Sequence, residues 1–152
     1  MSSTPATPPG LRAALAGGLA AAVLDFVAAC VNSGAGPIRI GRAIASGLMG
    51  QAAFKGGDEA AYLGMAAHTG TLLVAAGIYV LAARRMDYLW RNPLVCGLIF
   101  GVIVYAIMNA IVLPFSAVSQ GAGPPDVKRA IQIGIHMLFV GLPIALSAWK
   151  VR

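Results

Sequence analysis

The stretch EAAYLGMAAHTGTLLVAAGIYVLAARR, residues 59–85, decides the fold. From Ala60 to Ala83 it holds no Asp, Glu, Lys or Arg, and it stops at the pair Arg84-Arg85. A helix crossing the apolar core of a bilayer needs ~20 such residues. Two arginines at its end suit the headgroup level, where they meet anionic lipid. Residues 59–83 are therefore read as a transmembrane helix. Asp58 and Glu59 stand at its start, where negative charge complements the helix dipole.

Three more runs of this kind lie on either side. Residues 11–31 are apolar except for Arg12 and Asp25, and Ala14, Gly18 and Ala22 recur every four residues, a small-residue stripe that lets a neighbouring helix approach closely. Residues 93–114 contain Gly97-x-x-x-Gly101, another helix-packing pattern, and Pro114 is expected to end or kink that helix. Residues 126–149 begin at Asp126 and are interrupted by Gly141 and Pro143, which predicts a kink there. The connector MDYLWRNP, residues 86–93, is short, with Tyr88 and Trp90 as interfacial anchors. Residues 1–10, MSSTPATPPG, read as a disordered tail, and 116–125, SAVSQGAGPP, as a loop.

The segment 37–54 is different. Ile40, Ile44 and Leu48 fall on one helical face, with Arg39, Arg42 and Ser46 largely opposite. Its length, its arginines and its glycines argue against a full span, so it is expected to lie at the interface or to re-enter the membrane. The fold class is thus an all-α integral membrane protein: a four-helix transmembrane bundle with an amphipathic segment between helices 1 and 2, residues 11–152 forming one membrane domain.

Composition agrees. Of 152 residues, 59% are hydrophobic and 11% charged, with a mean hydropathy of +0.80, whereas soluble domains carry about 25% charged residues. The net charge of +6 is spread over short connectors rather than gathered on one face with interleaved aromatics, which excludes nucleic acid as a partner. Arg84, Arg85, Arg91, Lys150 and Arg152 read instead as contacts for lipid headgroups and as signals of orientation. With the 84–91 connector weighted most, both termini fall on the cytoplasmic side. The two cysteines, Cys30 and Cys96, have no metal-binding spacing and are expected at opposite faces, too far apart to pair.

Each span carries one polar group of note: Asp25, Asn109 and the only two histidines, His68 and His136. Asp25 and Asn109 precede the outer ends of their helices by a few residues. His68 and His136 follow the outer starts of theirs. Counting about 1.5 Å per residue puts all four at one depth, an intramembrane polar layer that Thr69, Thr71, Tyr62 and Tyr105 could join. Such a layer can be structural, fixing helix register by hydrogen bonds. Two histidines and a carboxylate at one level also fit a proton or small-solute conduit using Asp25, His68 and His136, or a transition metal or haem held by His68 and His136. No catalytic motif is present: there is no HExxH, nucleophile elbow, phosphate-binding glycine loop or carboxylate pair, so no catalytic residue and no resident cofactor is predicted.

Several phrases taken in order carry a resemblance: Ile44-Ala-Ser-Gly-Leu-Met-Gly50, Ala53-Phe54-Lys-Gly-Gly57, Leu63-Gly64 leading to His68, Met108-Asn-Ala-Ile-Val-Leu-Pro114, and His136 leading to Val140-Gly-Leu-Pro-Ile144. Over residues 11–148 the chain resembles a group of small, uncharacterised four-helix membrane proteins of the bacterial inner membrane. The resemblance implies that location and fold, and no activity. From the residues, the first expectation is a structural or accessory membrane component, as a homo-oligomer or part of a larger membrane complex, because small-residue stripes on helices 1 and 3 can pack against partners. The conduit and the bis-histidine site are the alternatives.

Overall fold

In the computed structural model, which describes residues 9–117 and 127–150, every regular element is helical. The chain forms α1 (Pro9–Ser33), α2 (Pro37–Met49) with a 3-10 extension Gly50–Phe54, α3 (Gly57–Ala83), the short α4 (Asp87–Arg91), α5 (Pro93–Ile107) with a π-helical turn Met108–Val112, α6 (Val127–Ile135), a π-helical segment His136–Gly141, and α7 (Leu142–Trp149). Among the described residues four helices are long and apolar enough to cross a membrane: Pro9–Ser33, Gly57–Ala83, Pro93–Val112 and Val127–Trp149.

Boundaries differ from the sequence expectation by a turn or less. Pro9 and Gly10, assigned to the tail, belong to α1; proline suits a first helical turn because its missing N–H has no partner there. Within 37–54 the helix stops at Gly50, whose φ of +61° leaves the right-handed helical region, and the remainder tightens into 3-10 geometry. The loop assigned to 116–125 is described only as far as Ala117, and residues 1–8, Asp126 and Arg152 also lie outside the described residues.

The prolines of the last two long apolar helices act through π-helical turns. Pro114 has no N–H to give to the carbonyl four residues back and would collide with it. Just before it the backbone widens, and the Leu113 N–H donates to the Met108 carbonyl, five residues back, at 2.8 Å. Before Pro143 the Leu142 N–H likewise donates to Met137. Insertions of this kind let a helix continue past a misfit.

Packing is inside out relative to a soluble bundle. Ala13, Ala21, Ala45, Ala61, Ala76 and Ala145 are buried, while Leu19, Val23, Val74, Ile78, Ile99 and Ile103 face outward. Small buried residues let backbones meet: a Cβ on Gly101 would strike the His136 carbonyl, one on Gly141 the Gly97 carbonyl, and one on Gly64 the Gly41 carbonyl. These crossings pin α5 to the π segment and α2 to α3. Helix α1 packs between α3 and α7, and α5 lies on the far side of α7. Near the end of α3 the Tyr79 and Phe100 rings meet edge to face with centroids 5.0 Å apart, joining α3 to α5.

Candidate functional site

At the end of the bundle where α3 begins, α2, α3 and the π turn after α5 surround a cavity of about 680 Å³. Its wall includes Asp25 from α1, His68 from α3 and His136 from the first position of the π segment. Three helices thus deliver the one carboxylate among the described lining residues and both imidazoles to one place. The three side chains are only 13%, 15% and 16% exposed, so each sits largely out of solvent yet reaches the cavity.

Asp25 lies between the rings and offers one oxygen to each. Its Oδ2 is 3.7 Å from His68 Nε2 and its Oδ1 is 3.9 Å from His136 Nδ1. These separations are longer than a direct hydrogen bond, and each becomes a charge pair only when its imidazole is protonated. The same ring nitrogens have closer partners: His68 Nε2 is 3.2 Å from the Ala22 carbonyl of α1, and His136 Nδ1 is 3.0 Å from the Gln132 carbonyl one turn back. A carbonyl oxygen can only accept, so both nitrogens are assigned the proton and donate. The lone pairs of neutral rings then belong to His68 Nδ1 and His136 Nε2. Ring contacts fix the planes further, with Phe26 against His68 at 6.0 Å and Tyr105 edge-on to His136 at 5.4 Å.

Local packing explains why the rings arrive where they do. Ala21 and Ala22 are buried, so α3 comes close enough for His68 to reach an α1 carbonyl that already serves its own helix. Gly101 admits the π segment against α5, which sets the position of His136.

The fourth member of the polar layer behaves otherwise. Asn109 turns its amide back to the Tyr105 carbonyl in its own helix at 2.9 Å, and it is not part of the cavity wall. Thr71 lines the cavity while its hydroxyl donates to the Ala67 carbonyl; Thr69 donates to Met65. Tyr62 is exposed.

The rest of the wall is mainly apolar: Ile40 and Ile44 of α2, Leu72 of α3, Val104 of α5 and Met108 of the π turn after it. The contribution of α2 goes beyond what amphipathicity indicates, because its apolar face closes the cavity. The Arg42 Nε donates to the Gly57 carbonyl at 2.8 Å and its Nη2 to Asp58 at 3.2 Å, fastening α2 to the start of α3. The Ala117 N–H donates to the Gly47 carbonyl at 2.9 Å, fastening α2 to the chain beyond the π turn that follows α5.

Among the described residues no group of three or more His, Cys, Asp or Glu is placed to hold a metal ion. A bis-histidine site would have to use His68 Nδ1 and His136 Nε2. Both cysteines are free thiols. Arg84, Arg85, Arg91 and Lys150 are exposed at helix ends and in the α4 connector. No protein-family profile, curated protein or solved structure matches the chain.

Proposed function

We propose that this chain is a four-span membrane protein in which Asp25, His68 and His136 form a working site, a conduit for protons or a small solute through the cavity they border. The observation that carries the proposal is the convergence of three ionisable side chains, from three helices, on the wall of a 680 Å³ cavity. A purely structural layer needs only contacts between side chains. A cavity beside it adds nothing to register and forfeits packing contacts.

Membrane residence is supported by the surface: Leu19, Val23, Ile78 and Ile99 face outward around a core made mostly of alanine, an arrangement unfavourable in water and ordinary in lipid. Following the charge distribution and the resemblance, the membrane is a bacterial inner membrane, with both termini cytoplasmic and the exposed basic residues at lipid headgroups. The cavity then lies toward the outer face.

The chemistry follows from the tautomers. A proton taken up at the free nitrogen of one ring makes it an imidazolium, whose other N–H, held by a backbone carbonyl, lies 3.7 or 3.9 Å from Asp25. That carboxylate, set between both rings, can accept this proton, and can pass it to the second imidazole when that ring carries its own proton on the nitrogen away from Asp25.

Proteoliposomes enclosing a pH-sensitive dye test this under an imposed proton gradient. The wild-type chain should dissipate the gradient faster than empty vesicles, and Asp25→Asn, nearly isosteric but unable to carry a proton, should lower the rate by about tenfold or more, a barrier difference of about 1.4 kcal/mol. Equal rates for the two proteins would overturn the proposal and return the trio to a structural role. A homo-oligomer or larger complex is compatible with the exposed faces of α1 and α5.

A further inference from the structure

Resting on the reading of the cavity as a solute site, the geometry points to one class of ligand: a compact hydrophobic monocation bearing an ammonium N–H, seated with its charge at Asp25 and its hydrocarbon body between α2 and α5.

Charge is the first argument. Among the described lining residues Asp25 is the only formally charged group when the imidazoles are neutral, and no Arg or Lys is present. Of the two arginines on α2, Arg42 is held by the Gly57 carbonyl and by Asp58, and Arg39 is exposed and does not line the cavity. An anion would meet the carboxylate with no fixed cation to balance it. A neutral solute would leave a largely buried carboxylate without a counter-ion. A cation supplies one, and pairing is what makes a desolvated charge tolerable.

Hydrogen bonding narrows the class. With His68 Nε2 and His136 Nδ1 donating to carbonyls, the cluster offers acceptors: two carboxylate oxygens and the lone pairs of His68 Nδ1 and His136 Nε2. An ammonium N–H matches acceptors, whereas a quaternary ammonium would satisfy the charge alone.

The body is fixed by the walls. Ile40, Ile44, Leu72, Val104 and Met108 provide an apolar enclosure, and Phe54 provides an aromatic ring that tolerates a nearby positive charge. A volume of about 680 Å³ falls within the range of small-molecule sites, roughly 300–1,000 Å³.

A series with one hydrocarbon cage and three charges tests the inference: 1-adamantylamine as the cation, 1-adamantanol as the neutral isostere and 1-adamantanecarboxylate as the anion. Each is titrated calorimetrically into the full chain in phosphatidylcholine nanodiscs, with empty nanodiscs as the blank. The amine should bind at least about tenfold tighter than the alcohol, with the carboxylate weakest, and in Asp25→Asn the amine should fall to within about twofold of the alcohol. Retained alcohol binding in that variant shows that the cavity is still folded. Equal affinity of amine and alcohol in the wild type, tightest binding of the carboxylate, or an amine preference that survives Asp25→Asn would each overturn the ligand class while the solute-site reading stands. Binding of none of the three would also overturn it, and proton flux in proteoliposomes would then decide the conduit on its own.

Discussion

Asp25, His68 and His136 could be brought to one level by counting residues from the ends of apolar runs, and the structure places them side by side. What counting cannot supply is direction around the helix axis at a π-helical turn, which is where His136 sits, nor whether a side chain prefers a neighbouring helix to its own backbone. Asn109 shows the second point: at the right depth by count, it satisfies its amide on Tyr105. The tautomers were equally hidden, since they follow from carbonyls at 3.2 and 3.0 Å that only three-dimensional packing creates. Glycines were legible as a class but not one by one. Gly101 and Gly70 are both helical, yet a Cβ on the first meets the His136 backbone and one on the second meets nothing within 4 Å. Gly101→Ala should therefore cost about 1–3 kcal/mol through forced separation of α5 from the π segment. Gly70→Ala should be neutral or stabilise by about 0.5–1 kcal/mol. Denaturant titration of the two variants in mixed micelles checks the contrast, and equal effects would remove the close crossing from the account.

Among the elements, the four long apolar runs were legible because the period-free hydrophobicity of a spanning helix is a strong signal, and their ends fall within a few residues of those observed. The segment 37–54 was legible as amphipathic but not in its role. An apolar face records that something covers it, and here that face turns inward onto a cavity while α2 rests on α3 through Gly41 and Gly64. The proposed orientation makes an element-level prediction. With Cys30 and Cys96 both replaced by alanine, a cysteine at Ser33, exposed at the end of α1, should react with an impermeant maleimide on intact cells. A cysteine at Arg85, exposed just after α3, should react only after lysis. Reversed labelling would keep the spans and invert the topology; labelling of both sites from outside would remove one of the spans.

At the scale of the whole molecule, α3 and α5 meet at Tyr79 and Phe100 near one end, while α2 and the π turn after α5 border the cavity at the other. A bundle closed along its full length would have made the trio a hydrogen-bonded spacer. The cavity makes it the wall of a compartment, and no pattern in the sequence announces a compartment, because its lining comes from faces that are each unremarkable. The central claim is that the trio works through this space, and one substitution separates the two. Ala43 lines the cavity from α2 and is not among the hydrogen-bond or ion-pair partners of Asp25, His68 or His136, so Ala43→Phe should fill the space and leave the cluster in place. Measured as proton flux in dye-loaded proteoliposomes, this variant is predicted to lose about tenfold or more of the wild-type rate, equivalent to about 1.4 kcal/mol in the barrier. A rate equal to wild type, from a chain that remains folded, would contradict the claim that the cavity is the path.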